Sequence, residues 1–133
     1  METTTGTAGR EILERFLAAA ERGDHATASA CVHPDVVMEW PQSGERFTGR
    51  DNALAAMGAT EEKPEFAGEP RIVGDGHAWV VMLPLRYGSE TYHYVGVFEL
   101  DAGLIRRSTE YFGAPFPPQE ARARFADGAG ATA

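Results

Sequence analysis

The sequence has few of the residues that carry metal or redox chemistry, with one cysteine and four histidines among 133 residues. A lone cysteine, Cys31, excludes an internal disulfide, and its helical surroundings indicate a small buried apolar residue. No two histidines have the spacing of metal ligands on one helix, so we expect no metal and no other cofactor. The chain also lacks a glycine-rich phosphate loop and a G-x-S-x-G nucleophile elbow, which argues against those two classes of enzyme.

Basic residues are scarce as well, since 12 Lys and Arg against 20 Asp and Glu give a formal net charge of −8. This excess of negative charge argues against nucleic acid or an anionic membrane as a partner. No apolar stretch reaches the ~18 residues that a membrane-spanning helix needs. The N-terminal segment has no basic region followed by an apolar run, so it does not resemble a signal peptide. We therefore expect a cytoplasmic protein.

The patterns that are present fit one domain at residues 9–126, between a flexible N-terminus at 1–8 and a flexible tail at 127–133. Three helices come first, and antiparallel strands joined by short turns follow. The predicted helices are Gly9–Arg22, His25–Val32 and Asp51–Met57, with a short terminal one at Gln119–Phe125. The predicted strands are Val36–Trp40, Glu45–Thr48, Glu65–Val73, His77–Tyr87, Glu90–Leu100 and Leu104–Phe112. This order predicts an α+β protein whose helices lie on one side of the sheet.

One of these strands is apolar on both of its faces. It contains the run Trp79–Leu85, with the sequence WVVMLPL. Helices can cover only one face of the predicted sheet, and a strand that is apolar on both faces is expected to be covered on both. We therefore expect a homodimer in which a second subunit covers the outer face of the sheet.

The last predicted strand carries the most chemically suggestive pattern. Side chains two residues apart share a face of a strand. One face of this strand should therefore carry Leu104, Arg106, Ser108, Glu110 and Phe112. A carboxylate between a hydroxyl and a large apolar residue is the most chemically suggestive feature of the sequence.

Three stretches, in this order and spacing, resemble the SnoaL-like proteins of the nuclear transport factor 2-like superfamily. They are ERFLAAAERGDHATASACVHPDVVMEW, SGERFTGRDNAL and GVFELDAGLIRRSTEYFGAPF. The resemblance implies a cone, in which a strongly curved antiparallel sheet wraps around the three N-terminal helices and encloses a pocket. It does not imply one function, because the superfamily includes steroid isomerases, polyketide cyclases, epoxide hydrolases, dehydratases and non-catalytic binding domains. Function has to be argued from the pocket.

The chain departs from the ketosteroid isomerases at three positions. Where those proteins have an acidic base before a proline, the sequence MEWP places Trp40. Phe16 matches their helix-1 tyrosine and Val95 matches their second acid, so all three chemical groups are missing. SnoaL-like polyketide cyclases instead carry an acid/base aspartate on the last strand, a few residues after the hairpin glycine. Counted from Gly103, Glu110 lies at about that position.

Glu110 is accordingly the first candidate for catalysis, because burial in an apolar pocket raises the pKa of a carboxyl group into the range of general acid/base work. Its alternative role is a salt bridge at the sheet surface. His93 is the second candidate, since an imidazole on the face of Val95 can exchange protons or bind a ligand carbonyl. Its alternative role is that of a structural core histidine. Arg86 lies near a strand end, where it can bind an anionic group, hold Glu110, or simply be solvated.

The candidates for ligand binding are mostly large apolar residues on elements that should line a cone. They are Trp40, Phe16, Met38, Val95, Ser108, Phe112 and Arg86. Two functions fit this set. The first is a cofactor-independent enzyme that moves protons on an apolar, carbonyl-bearing metabolite by cyclisation, isomerisation, dehydration or epoxide opening, with Glu110 as acid/base and His93 assisting. The second is a ligand-binding or assembly domain without chemistry, in which Glu110 belongs to a structural ion pair.

Overall fold

The computed structural model of the protein describes residues 8–59 and 62–128. Residues 1–7 of the predicted flexible N-terminus and 129–133 of the predicted tail lie outside the described residues. The α-helices are α1 (Ala8–Arg22), α2 (His25–Ala30) and α3 (Arg50–Gly58), and a 3-10 helix covers Glu120–Phe125. The strands are β1 (Val32–Trp40), β2 (Glu45–Thr48), β3 (Glu65–Phe66), β4 (Arg71–Asp75), β5 (Ala78–Tyr87), β6 (Glu90–Asp101) and β7 (Leu104–Gly113).

The seven strands form one curved, unclosed sheet with the order β2, β1, β7, β6, β5, β3, in which β4 also pairs with β5. Neighbouring strands pair antiparallel, except that β1 and β7 run parallel. A parallel pair needs a long connection, and here most of the chain separates the two strands. The predicted α+β cone is confirmed, with a mixed rather than a purely antiparallel sheet.

Alternation along β5 defines the two faces of the sheet. Trp79, Val81, Leu83 and Leu85 are buried against the helices, whereas the residues between them are half-buried on the opposite side. We call these the inner and the outer face. The core lies between the inner face and the apolar stripe of α1, whose buried members are Leu13, Phe16, Leu17 and Ala19. Burial of this stripe stabilises α1 in the concave side of the sheet.

The second helix is shorter than predicted, because α2 ends at Ala30 and the chain is already extended at Val32. Val32 pairs with Ile105 and Val37 pairs with Arg107, so the residues between them bulge out of β1. Pro34 lies in this bulge, and proline disfavours helical backbone at the residue before it. The last two residues of the predicted helix, Cys31 and Val32, are therefore the cap of α2 and the start of β1.

The predicted strand Glu65–Val73 is two strands in the structure. β3 and β4 both pair with β5, at different positions along the same edge. Gly68 and Pro70 lie in the gap between them, and both residues weaken strand pairing. The division leaves β3 beside Leu85 and Arg86, near one end of β5.

The predicted face of the last strand is broken by a β-bulge at Arg106. Glu99 pairs with Arg107 while Leu100 pairs with Ile105, which leaves Arg106 as an extra residue in β7. Ile105 and Ser108 are consequently both buried, although residues three apart lie on opposite faces of a regular strand. The grouping of Leu104 and Arg106 with Glu110 was therefore wrong, and only the part after the bulge keeps the predicted face.

Candidate active site

A cavity of about 660 Å³ lies between the three helices and the inner face of the sheet. Its volume is in the usual range of pockets for small molecules. The wall is mostly hydrophobic and includes Phe16, Leu17, Trp40, Leu54, Leu83 and Phe112. The cavity therefore suits a ligand with an apolar body.

The carboxyl group of Glu110 belongs to the wall of this cavity, and the residue is 6% exposed. The Tyr94 hydroxyl donates a hydrogen bond to Oε1 over 2.8 Å, and the Ser108 hydroxyl donates one to Oε2 over 2.8 Å. Both donors are themselves buried, with Tyr94 at 7% and Ser108 at 3% exposure. Each carboxylate oxygen has a second lone pair, so the group still has the capacity to bind a ligand from the cavity.

Alternation of the two central strands brings these three residues together. Glu110 pairs with Gly96 across β6 and β7, and Tyr94 lies two residues before Gly96 on the same inner face. A Cβ atom at Gly96 would lie 2.4 Å from the Tyr94 Oη and 2.7 Å from Cε2 of Phe98. Only glycine therefore leaves the space in which the tyrosine hydroxyl reaches the carboxylate.

The environment of Glu110 favours its neutral form. Burial raises the pKa of the Glu110 carboxyl above its usual range, and the hydrogen bonds from Ser108 and Tyr94 oppose this rise without cancelling it. Burial, followed by the neighbouring Glu110 charge, raises the pKa of the Tyr94 phenol well above its usual value. Tyr94 consequently stays a protonated donor, while Glu110 can exchange its proton closer to neutral pH.

The second catalytic candidate, His93, does not lie in this cavity. His93 and Val95 belong to the outer face of β6, because the buried residues of that strand are Tyr94, Gly96, Phe98 and Leu100. His93 is exposed, and the two side chains that bond to Glu110 come from other positions. The expectation that His93 and Val95 point into the pocket was therefore wrong. The inward-facing residues of β6 are the neighbours of these two, because adjacent residues of a strand lie on opposite faces.

Arg86 is also outside the site. Its side chain is exposed at the end of β5, where a guanidinium nitrogen lies 3.6 Å from a carboxylate oxygen of Glu65. Arg86 is therefore a solvated residue at a strand end, which was the alternative to a ligand contact. An exposed pair of this kind contributes little to stability.

Of the other ligand-binding candidates, Phe16, Trp40 and Phe112 line the cavity. The Trp40 ring packs edge-on against Phe112, with a centroid distance of 5.5 Å. Met38 is 2% exposed and lies in the core, and Ser108 acts through its bond to Glu110. Phe112 also packs against Tyr94, with a centroid distance of 5.3 Å, so the rings of Trp40, Phe112 and Tyr94 lead to the carboxylate.

Several residues of the site were missed in the sequence, among them Tyr94 and Gln42. Tyr94 lies on the same face of β6 as Phe98 and Leu100. These large apolar residues were the sequence signal that this face of the strand is the inner one. Gln42 left no comparable signal, because its role depends on the turn after β1. Its side-chain amide exchanges hydrogen bonds with the backbone N–H and carbonyl of Phe112, and so holds the end of β7 where that ring joins the cavity wall.

In the described ranges, no three His, Cys, Asp or Glu side chains group as they would around a metal ion. Within the same ranges, no helix is long and apolar enough to cross a membrane.

The SnoaL-like domain family matches residues 13–108 of the chain. An NTF2-like protein of unknown function from Burkholderia xenovorans LB400 is 30% identical, with 92% of this chain and 98% of that one covered and a TM-score of 0.81. A provisionally named ketosteroid isomerase from Kribbella flavida DSM 17836 is 24% identical over 94% and 91% of the two chains, with a TM-score of 0.84, and shows the fold. An LEH-like epoxide hydrolase from M. tuberculosis is 27% identical over 80% and 83%, with a TM-score of 0.66. No curated protein matches the chain.

Proposed function

The chain belongs to the SnoaL-like domain family, and from this premise we propose that it is a cofactor-independent enzyme that transfers protons on an apolar, carbonyl-bearing small molecule. The observation that carries the proposal is the buried carboxyl of Glu110, held by two hydroxyl donors in the wall of a hydrophobic cavity. The names of two similar structures, an isomerase and an epoxide hydrolase, support a small-molecule reaction.

The proposed chemistry is general acid/base catalysis by Glu110. The ionised carboxylate accepts a proton from a carbon next to the ligand carbonyl, and returns it to a different atom of the same ligand. Tyr94 and Ser108 keep the carboxylate oriented and spread its charge while it is ionised. Cyclisation, isomerisation and dehydration all include such a transfer, and epoxide opening requires the same residue as an acid or as a base toward water. A polyketide substrate and a cytoplasmic location stay predictions.

The direct test is hydrogen–deuterium exchange next to the carbonyl of a small panel of ketones, such as 2-tetralone and 4-tert-butylacetophenone, followed by NMR in D₂O. This readout requires no knowledge of the natural substrate. We expect the wild type to accelerate exchange, and Glu110→Gln to lower the enzymatic rate by about 10²–10⁴-fold, the usual contribution of a positioned acid/base. Glu14→Gln, at an exposed position of α1, is the matched control and should keep the full rate.

Two outcomes would contradict the proposal. If Glu110→Gln exchanges the ketones as fast as the wild type, Glu110 is not the acid/base. If the wild type binds the ketones but accelerates no exchange, the alternative of a binding domain is favoured, with Glu110 as a structural member of the hydrogen-bonded group.

We also propose that a second copy of the chain covers the outer face of the sheet. The cross-strand pairs Val80–Val97 and Met82–Val95 place half-buried apolar side chains at its centre. Tyr111, which pairs with Val95, extends this patch and is 42% exposed. Burial of the patch against an identical patch would remove apolar surface from water, which is the main driving force of stable association.

A further inference from the structure

A second pocket of about 550 Å³, open to the surface, lies beside the first, and we call it the vestibule. Its aromatic walls are Tyr87, Tyr92 and Phe112, and its carboxylates belong to Glu62 and Glu90. Tyr87 and Phe112 also line the main cavity, so the same two rings form a wall of both spaces. A molecule that fills the main cavity therefore has the vestibule next to it, beyond these rings.

The aromatic walls are arranged by the hairpin between β5 and β6. Tyr87 and Tyr92 lie on the inner face at the end of this hairpin, with ring centroids 5.4 Å apart and planes at 80°. In such an edge-to-face pair the rings present electron-rich faces in two directions. Phe112 adds a third ring from β7. Aromatic faces in several orientations around one space are the arrangement that binds alkylated ammonium groups.

The two carboxylates are placed by specific contacts. Glu90 accepts a hydrogen bond from the Tyr92 hydroxyl over 3.3 Å, so its charge lies at the edge of the aromatic pair. The Glu62 carboxylate lies over Gly88, where a Cβ atom would be 2.8 Å from Oε1. Gly88 takes a φ of 62° in the hairpin turn, which already favours glycine. The residue that makes the turn thus also leaves room for the carboxylate in the vestibule.

We propose that the vestibule binds a positively charged, alkylated ammonium group of the same molecule whose apolar, carbonyl-bearing part occupies the main cavity. This inference rests on the proposed function and narrows its substrate to amine-bearing molecules. Three aromatic rings supply cation–π attraction, and two carboxylates supply charge attraction, with no basic side chain among the described residues of the lining. The net charge of −8 also attracts a cationic ligand from solution.

A compact cation with strong hydration fits this site less well than an alkylated ammonium. Among the described residues, no three potential metal ligands group together, so a bare metal ion would keep most of its water here. An alkylated ammonium has a diffuse charge on an apolar surface, which contacts ring faces at little cost in lost hydration. The chemistry of the walls therefore selects the organic cation.

The test uses two probes of the same shape, 4-acetyl-N,N,N-trimethylanilinium and 4-tert-butylacetophenone. Both carry the same aryl ketone, and they differ in the charge of one tetrahedral group. Affinities are measured by calorimetry in about 0.15 M salt, where screening limits the contribution of distant charges. We expect the wild type to bind the cation about fivefold more tightly than the neutral probe, as one partly exposed cation–π contact predicts.

The variants separate the vestibule from the general charge of the protein. Tyr92 lines the vestibule and not the main cavity, so Tyr92→Leu should lower the preference for the cation, by weakening the binding of the cation more than that of the neutral probe. Glu90→Gln should also lower the preference for the cation over the neutral probe. Glu14→Gln removes the same charge from an exposed position of α1 and should keep the preference. Equal affinities in the wild type, tighter binding of the neutral probe, or no binding of either probe would overturn the proposal.

The outcome is separable from that of the proposed function. If the cation preference depends on Tyr92 but Glu110→Gln keeps full exchange activity, the vestibule stands and the acid/base role fails. If Glu110→Gln loses activity and the two probes bind equally, the acid/base role stands and the vestibule proposal fails.

Discussion

Removal of the Tyr94 hydroxyl is the sharpest perturbation of the site, because it changes one donor and keeps the ring. In Tyr94→Phe, the Oε1 atom of Glu110 loses a hydrogen bond of 2.8 Å while Oε2 keeps the bond from Ser108. The lost bond stabilises the ionised carboxylate more than the neutral acid, so its loss favours the neutral acid. We therefore expect the pKa of Glu110 to rise further.

The magnitude follows from the cost of one charge-assisted hydrogen bond. Such a bond contributes about 1.5–3 kcal/mol, and one pKa unit corresponds to about 1.4 kcal/mol. The expected rise is therefore about one to two units. The measurement is a pH titration of the side-chain carboxyl by ¹³C NMR in protein labelled at glutamate. Tyr111→Phe is the matched control, since it removes a phenol from the outer face next to Glu110 and should leave that pKa unchanged.

Stability provides a second readout with a defined sign. The pKa of Glu110 is higher in the folded protein than in the unfolded chain. Its contribution to the free energy of unfolding is therefore fully present below the unfolded pKa of about 4.3, and is lost as pH rises through the folded pKa. In Tyr94→Phe this loss of unfolding free energy should continue to a higher pH. Its size should increase by about 1.4 kcal/mol for each further unit by which the pKa of Glu110 rises. Urea unfolding at pH 4 and pH 8 measures the difference. A titration midpoint within about half a unit of the wild type would refute the account of the site given above.

Two further outcomes are expected. Gly96→Ala places a methyl group 2.4 Å from the Tyr94 Oη, so we expect a loss of about 1–3 kcal/mol in unfolding free energy, together with a raised pKa of Glu110. Gly113→Ala, whose nearest contact would be an ordinary 3.4 Å, is its control, and equal effects of the two variants would contradict the positioning role of Gly96. Light scattering at micromolar concentration should give twice the 14.4 kDa mass of the chain, and Val95→Lys should return it toward the single mass. A wild type at 14.4 kDa would exclude the dimer.

Local patterns in the sequence were sufficient for most of the fold. The predicted end of the first helix at Arg22 and the predicted start of the second at His25 are both confirmed, and the Asp24 carboxylate caps the second helix by accepting a hydrogen bond from the Thr27 backbone over 3.1 Å. The apolar run Trp79–Leu85 identified a strand, and Glu110 was singled out by its face together with the resemblance to the SnoaL-like polyketide cyclases. These features depend on neighbours within a few residues, which is the range over which sequence periodicity carries information.

The rest depended on contacts between segments that are distant in sequence. β7 pairs with β1 on one side and with β6 on the other, and the register shifts in both pairings close to Arg106, whose guanidinium donates a hydrogen bond to the Asp35 carbonyl in the bulge of β1. The parity of β6 is decided by the helices that bury Phe98, so Tyr94 rather than His93 reaches Glu110. The sequence by itself determined most of the elements and their order, and, with the resemblance to a family, it pointed to Glu110 as the candidate acid. Only the tertiary structure decided which partners surround that acid, because one residue of register moves a side chain to the opposite face of the sheet.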